Sequence, residues 1–140
     1  MIPIFFSNYT KLENYMINEI KIKYKPSYAA GINNNKIMKT TVLKSVDNTN
    51  FYNDNLNDIN EVKYTLYGPI GNQDENEKRF NKILLNDTEH IYLYRVTPIN
   101  KKDKNYYWYG KYEIKDKNTQ DHPGKYGIMR TIIVLTLKLL

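Results

Sequence analysis

The chain has 140 residues, 41% of them hydrophobic, and a formal net charge of +6. This length predicts a single domain, residues 1–140, and the positive charge favours an anionic partner such as nucleic acid. Because the sequence has no cysteine, disulfide frameworks, cysteine nucleophiles and cysteine zinc sites are excluded. No apolar run is long enough to predict a membrane span, which favours a soluble protein or one domain of a longer protein.

The first 60 residues predict a helix, a loop, a strand and a long connection. Apolar residues recur at helical spacing over residues 7–22, and Ser7 is a candidate N-cap. Residues 27–35 contain three consecutive asparagines, which predicts a loop. Residues 36–46 are rich in Ile, Thr and Val, which predicts a strand. The Asn- and Asp-rich segment 47–60 predicts a long connection that carries two neighbouring aromatic residues, and binding residues often lie in such loops.

The middle of the chain predicts a strand, a glycine turn and a helix. Residues 61–67 alternate between apolar and polar side chains, as in a strand with one buried face. Gly68 interrupts the alternation. Asp74, with Glu77 three residues later, predicts a capping box at the start of a helix. The apolar stripe of that helix includes Phe80 and would face the core.

The last 50 residues predict three strands. Residues 90–97 are apolar on both faces, as expected in the middle of a sheet. Residues 106–115 alternate, which predicts a strand with Tyr109 on its wet face. The polar segment 116–127 predicts a loop, and residues 130–140 predict a closing strand. About five strands and two helices favour an α+β fold, in which a strongly curved sheet or barrel has helices packed outside it.

The residues that could carry chemistry are few. His90 and His122 are far apart and have no metal-ligand spacing, and no serine lies in a nucleophile elbow. The sequence therefore predicts neither a metal nor a cofactor. Asp103 followed by Glu113 and Lys115 has the order of a Mg²⁺-dependent nuclease, which stays as the least favoured alternative. Nucleic-acid binding without catalysis requires only dispersed cations and aromatic faces, and both are present.

Short motifs in a fixed order give a more specific indication. They are Ile2-Pro3, Ala30-Gly31-Ile32, the strand through residues 42–45, Phe51 to Asn55, the aromatic strand ending at Gly68, Asp74-Glu75 with Arg79-Phe80-Asn81, Trp108 to Tyr112, and Arg130 to Ile133. In this order and at this spacing they resemble the SRA (SET and RING finger associated, or YDG) domain over nearly the whole chain. The short form is similar to the SRA-like domains of modification-dependent restriction enzymes.

This resemblance implies a PUA-like β-barrel that binds double-stranded DNA. It also implies that a modified cytosine, 5-methyl- or 5-hydroxymethylcytosine, leaves the base stack and enters an aromatic pocket. The chain would then not be an enzyme itself, although it could be the recognition domain of a larger restriction enzyme. Such a reader would be intracellular: nuclear in a eukaryote, and cytoplasmic for a bacterial or viral protein.

Carried over residue by residue, the resemblance implies three sets of positions. The base pocket would contain Tyr52, Asp54, Asn55, Tyr64, Leu66 and Tyr67. The loop that enters the DNA groove would contain Tyr28, Ala29 and Gly31. Positions that shape the fold would be Gly68, Asp74, Asn81, Trp108, Gly110 and Arg130.

Two pocket positions differ from the family pattern. Leu66 stands where the family has its second stacking ring, so Tyr64 or Tyr67 would have to supply that ring. Asn55 stands where the family has the second acid of a pair. These two differences keep open an alternative, in which the fold persists without its pocket as a structural or protein-interaction module.

Overall fold

The computed structural model describes residues 2–140, which contain two helices and seven strands. In chain order they are β1 (Ile4–Phe6), α1 (Tyr9–Asn18), β2 (Ile32–Asn35), β3 (Thr40–Val46), β4 (Glu61–Thr65), α2 (Arg79–Asn86), β5 (His90–Pro98), β6 (Lys104–Pro123) and β7 (Met129–Leu139). Neither helix of this described part has the length and apolar composition needed to cross a membrane.

The seven strands form one curled sheet in the order β2-β3-β5-β6-β7-β4, with β1 also paired to β6. The β3–β5 pair is parallel, and the other pairs are antiparallel. Side chains from β2 through β7 meet in one inner cluster, which includes Leu43, Leu93, Tyr112 and Leu135. The Tyr64 hydroxyl of β4 donates to the carbonyls of Gly31 at 3.1 Å and Lys44 at 3.3 Å, which draws the two ends of the sheet together. The predicted α+β fold with a strongly curved sheet is thus confirmed.

The outer face of the sheet is covered mainly by α1. Leu12 and Met16 of this helix are fully buried against an outer cluster that includes Val42, Tyr94 and Trp108. Helix α2 lies on the other side, where its Leu84 enters the inner cluster. The predicted first helix is therefore present but shorter, and its N-cap is Asn8 rather than Ser7.

Two segments predicted as loops are strands. Asn33 to Asn35 belong to β2 and pair with Thr40 to Val42, so the asparagine run forms an edge strand. Strand β6 continues through residues 116–123, which pair with β7 up to Met129. Most side chains of that extension are exposed, and its backbone hydrogen bonds go to β7. With few apolar side chains on its surface, this segment lacks the alternation that marks a half-buried strand.

Tyr109, predicted on the wet face, is 5% exposed and belongs to the inner cluster. The register of β5 and β6 shifts beside it, because Leu93 pairs with Gly110 whereas Tyr94 pairs with Trp108. Gly110 has φ of +112°, a conformation that glycine adopts readily. Such a bulge turns the side chains that follow it to the opposite face, which explains why simple alternation fails here.

The predicted capping box at Asp74 is wrong. Helix α2 begins at Arg79, and its N-cap residue, Lys78, makes no side-chain capping bond. Asp74 instead accepts a hydrogen bond from the amide of Asn76 at 2.8 Å, which forms a local turn. Asp and Asn side chains often bond to the backbone in this way and so compete with helix formation.

Candidate functional site

One cavity of about 280 Å³ opens where the curled sheet meets the connection between β3 and β4. Its volume lies near the lower end of the range for small-ligand pockets, roughly 300–1,000 Å³. Four parts of the chain contribute to its walls: the segment before β2, the end of β3, the connection after β3, and β4 with the turn that follows it. Lys125, from the turn between β6 and β7, also reaches the cavity.

The connection after β3 is held against β4 as a short additional strand. Asn55 and Lys63 exchange two backbone hydrogen bonds of 2.9 Å. The amide of Thr65 donates to Oδ1 of Asp54 at 2.7 Å. Tyr52 and Asp54, which precede this bridge, both line the cavity.

Two tyrosines give the cavity its aromatic walls. The hydroxyl of Tyr52 accepts a hydrogen bond from the amide of Gly68 at 3.1 Å, and its ring meets that of Phe51 edge-on at 4.8 Å. Tyr67 is 39% exposed and meets Phe80 edge-on at 6.0 Å. Both rings line the cavity. Accessible aromatic faces of this kind can stack on a planar ligand.

The charged residues that line the cavity are Asp54, Lys44 and Lys125. Oδ2 of Asp54 accepts a hydrogen bond from Ser45 at 2.7 Å, and Lys44 Nζ donates to the carbonyl of Tyr28 at 2.6 Å. Burial raises the pKa of Asp54, although the hydrogen bonds from Ser45 and Thr65 lower part of that rise. Burial also lowers the pKa of Lys44. The cavity therefore offers an acceptor and a donor to a polar ligand edge.

The raised pKa of Asp54 makes a testable prediction about stability. A carboxyl that holds its proton more tightly in the folded state contributes most to stability below its ordinary pKa of 3.8, and this contribution is lost as the pH rises through the folded value. We expect Asp54→Asn to gain stability relative to the unmodified protein as the pH rises from about 4 to about 8. Urea unfolding across this range measures the difference, and a difference that stays constant with pH would contradict the prediction.

Arg130 connects the segment that carries Tyr52 with the turn that follows Tyr67. Its guanidinium is buried and donates to the carbonyls of Phe51 at 2.5 Å, of Gly71 at 3.2 Å and of Gly68. Phe51 precedes the Tyr52 wall, and Gly68 follows the Tyr67 wall. The planar fork of an arginine can bond several acceptors at once, which explains its use here. Arg130 thereby holds together the two segments that carry Tyr52 and Tyr67.

Two side-chain amides hold the Tyr67 segment. Asn81 of α2 is 1% exposed; its Oδ1 accepts from the Tyr67 amide at 2.9 Å, and its Nδ2 donates to the Tyr67 carbonyl at 2.8 Å. Gln73 donates to the carbonyl of Leu66 at 2.7 Å and accepts from the amide of Ile133 at 2.8 Å. Beyond the end of β4, the Gln73 side chain thus makes the hydrogen bonds that a paired strand would otherwise make. No sequence motif predicted this role of Gln73.

Six of the nine residues predicted for the pocket and the groove loop line this one cavity: Ala29, Gly31, Tyr52, Asp54, Tyr64 and Tyr67. The sequence did not single out Lys44, Thr65, Pro69 or Lys125, which line it as well. Of these, Lys44 has a recognisable signal, because it is a charged residue within the otherwise apolar and small-polar run of β3.

Three predicted residues lie elsewhere. Leu66 is fully buried in the inner cluster and does not line the cavity. The side chain of Asn55 accepts from the amide of Asn57 at 3.0 Å and borders an adjoining polar cavity that shares Tyr52 and Asp54 with the first. The ring of Tyr28 packs against Tyr9 in the outer cluster, with centroids 4.8 Å apart. Among the fold positions, Trp108 stacks on a neighbouring ring of β5 and is buried.

The residues of the nuclease alternative do not converge. Asp103 lies in the turn before β6, where it accepts from Asn100 at 3.0 Å. Glu113 is ten positions further along β6, roughly 30 Å away at the usual rise of a strand. Lys115 pairs with Glu61 at 3.4 Å. Within residues 2–140, no group of three or more His, Cys, Asp or Glu residues could hold a metal ion.

Similar folds occur in DNA-restriction proteins. The MspJI restriction endonuclease in complex with a 27-mer oligonucleotide aligns at a TM-score of 0.67 and 15% identity, over 91% of this chain and 36% of that chain. The modification-dependent TagI restriction endonuclease aligns at a TM-score of 0.63 and 14% identity, over 99% of this chain and 49% of that chain. The sulfur-binding and SRA domains of ScoMcrA, complexed with phosphorothioated DNA, align at a TM-score of 0.60 and 12% identity, over 100% of this chain and 40% of that chain.

The chain therefore has the fold of an SRA domain, and it spans between a third and a half of the length of these three proteins. Compared by sequence alone, it matches no family model and no curated protein. At such low identities the likeness concerns the fold, and the function must be argued from the cavity.

Proposed function

We propose that this protein binds double-stranded DNA and accepts a modified cytosine, turned out of the base stack, in the cavity between Tyr52 and Tyr67. The observation that carries the proposal is the cavity itself, because it combines two accessible aromatic walls with a carboxylate acceptor and a half-buried ammonium donor. The DNA-bound proteins of the same fold support a DNA partner. The net charge of +6 supports contact with phosphates.

The cavity has the groups that a cytosine requires. The Watson–Crick edge of cytosine presents an amino donor beside two acceptors. Asp54 can accept from the amino group, while Lys44 or a backbone amide can donate to the acceptors. Stacking on an aromatic ring contributes roughly 1–3 kcal/mol, which can offset the few kcal/mol needed to unstack a base. Leu66 is buried in the inner cluster and does not line the cavity, which supports a working pocket over the protein-interaction alternative.

The test compares duplexes that differ in one cytosine. We expect 5-methyl- or 5-hydroxymethylcytosine to bind about tenfold more tightly than the plain duplex at about 150 mM salt, since phosphate contacts are common to all of them. Fluorescence anisotropy with labelled duplexes gives the affinities. A phosphorothioated duplex with plain cytosine serves as the comparison for backbone modification. Equal affinity for all duplexes would refute the reading of a modified base.

We further propose that the chain acts by recognition and not by catalysis. The matched proteins are about twice to three times as long as the aligned part, which is consistent with cleavage by other domains. No cofactor is required for the proposed binding, because stacking and hydrogen bonds to the base supply the recognition. Plasmid DNA incubated with the chain and Mg²⁺ or Mn²⁺ should remain intact.

A further inference from the structure

An exposed apolar patch lies beside the cavity, at the turn between β6 and β7. Tyr126, Ile128 and Met129 are 71%, 74% and 62% exposed, and Ile70 from the cavity side is 60% exposed. These four side chains border one shallow depression of about 270 Å³. Large apolar side chains gathered at the surface usually mark a contact site. We refer to Tyr126, Ile128, Met129 and Ile70 as the apolar tip.

The apolar tip is anchored to the wall of the cavity. The amide of Lys125 donates to the carbonyl of Pro69 at 2.8 Å, and both residues line the cavity. A side chain on Gly124 would come within 3.2 Å of that same carbonyl and within 3.1 Å of Arg130, so this close approach favours glycine. Gly127, with φ of +81°, closes the turn. The tip therefore has a fixed position relative to the base pocket.

The charge of this turn suits DNA. Residues 123–130 contain no acidic residue, and the cation that the turn presents to solvent is Lys125, whereas Arg130 is buried. Side chains such as Ile and Met act as wedges between base steps in proteins that distort DNA, and a nearby cation can pair with a phosphate. Both features occur together here, next to the cavity that would receive the base.

We propose that the apolar tip enters the duplex beside the modified cytosine and fills the space that the base leaves, with Ile128 and Tyr126 as the wedge. This inference rests on the proposed function. The other candidate for this role, Tyr28, is held in place: its hydroxyl accepts from Lys104 Nζ at 3.0 Å, and its carbonyl accepts from Lys44. Entry of Tyr28 into a groove would break these bonds, whereas the tip side chains are already exposed.

The test uses the double variant Tyr126→Ser with Ile128→Ser and two kinds of DNA. In the first, the modified cytosine is paired in a duplex; in the second, the same cytosine lies in a single strand. A wedge acts only where a stack must be refilled, so we expect the duplex affinity to fall about five- to tenfold and the single-strand affinity to stay within twofold. Ile37→Ser with Ile99→Ser is the matched control, because both residues are exposed and neither lines the cavity.

The outcomes separate the two proposals. Equal loss on both DNAs, or no loss on either, while the unmodified protein still prefers modified cytosine, overturns the wedge and leaves the base pocket standing. Absence of any preference in the unmodified protein overturns the proposed function and the wedge with it. A thermal unfolding midpoint matching that of the unmodified protein verifies that the double variant is folded, as expected for exposed side chains.

Discussion

Replacing Arg130 with methionine is expected to lower the free energy of unfolding by about 2–4 kcal/mol. The three carbonyls that the guanidinium bonds, those of Phe51, Gly68 and Gly71, would lose charged donors worth roughly 1.5–3 kcal/mol each. Removing a buried cation recovers part of this loss, because its desolvation cost disappears as well. Urea unfolding monitored by tryptophan fluorescence measures the difference, since the lone tryptophan, Trp108, is buried.

Two controls define what the Arg130 result means. Arg130→Lys keeps the charge but lacks the planar fork, so an intermediate loss is expected. Arg79→Met removes an exposed arginine and should change the free energy of unfolding by less than about 0.5 kcal/mol. If Arg130→Met were as stable as Arg79→Met, the carbonyls of the cavity walls would have other donors and our account of their positioning would fail.

The fold could be predicted to a large extent, because most strands of this protein bury one or both faces. Apolar alternation and apolar runs marked β4, β5 and β7, as well as the first half of β6. The same signal is missing where a strand buries few of its side chains. The asparagine run of β2 and residues 116–123 of β6 pair through their backbones, and propensity alone assigns such sequences to loops.

The position of Leu66 follows from the alternation of side chains along β4 and the residues after it. Val62, Tyr64 and Leu66 share the buried face of the β4 segment, so alternation alone places Leu66 in the core and Tyr67 on the opposite face. Spacing relative to the family had assigned Leu66 to the pocket. The local pattern is the better guide here, because a one-residue difference in register exchanges the buried and the exposed face of a strand.

The hydrogen bonds that hold the pocket could not be predicted. Asn81, Gln73 and Arg130 all bond backbone groups 5 to 79 positions away in the sequence. Such bonds satisfy backbone groups at places where regular pairing has ended, and they leave no periodic trace in the sequence. The motif resemblance indicated Asn81 and Arg130 as important, whereas their partners became apparent only from the structure.

Replacing Tyr52 with alanine is expected to weaken binding of the modified duplex by about 10- to 100-fold, the equivalent of roughly 1–3 kcal/mol for one aromatic stacking partner. The plain duplex should lose much less, because its binding comes mainly from phosphate contacts and no base needs to enter the cavity. The slope of the logarithm of affinity against the logarithm of salt concentration should therefore stay the same in Tyr52→Ala. Anisotropy titrations of both duplexes at several salt concentrations give all three quantities.

Tyr52→Phe separates stacking from structure. This variant keeps the ring but removes the hydroxyl that accepts from the Gly68 amide at 3.1 Å. We expect its preference for modified cytosine to survive, while its stability falls by about 1 kcal/mol, the usual value of one hydrogen bond. If alanine and phenylalanine weakened binding equally, the hydroxyl and not the ring would be the important group. If Tyr52→Ala weakened modified and plain duplexes by the same factor, Tyr52 would contact DNA outside the pocket, and the base would have to enter between other residues.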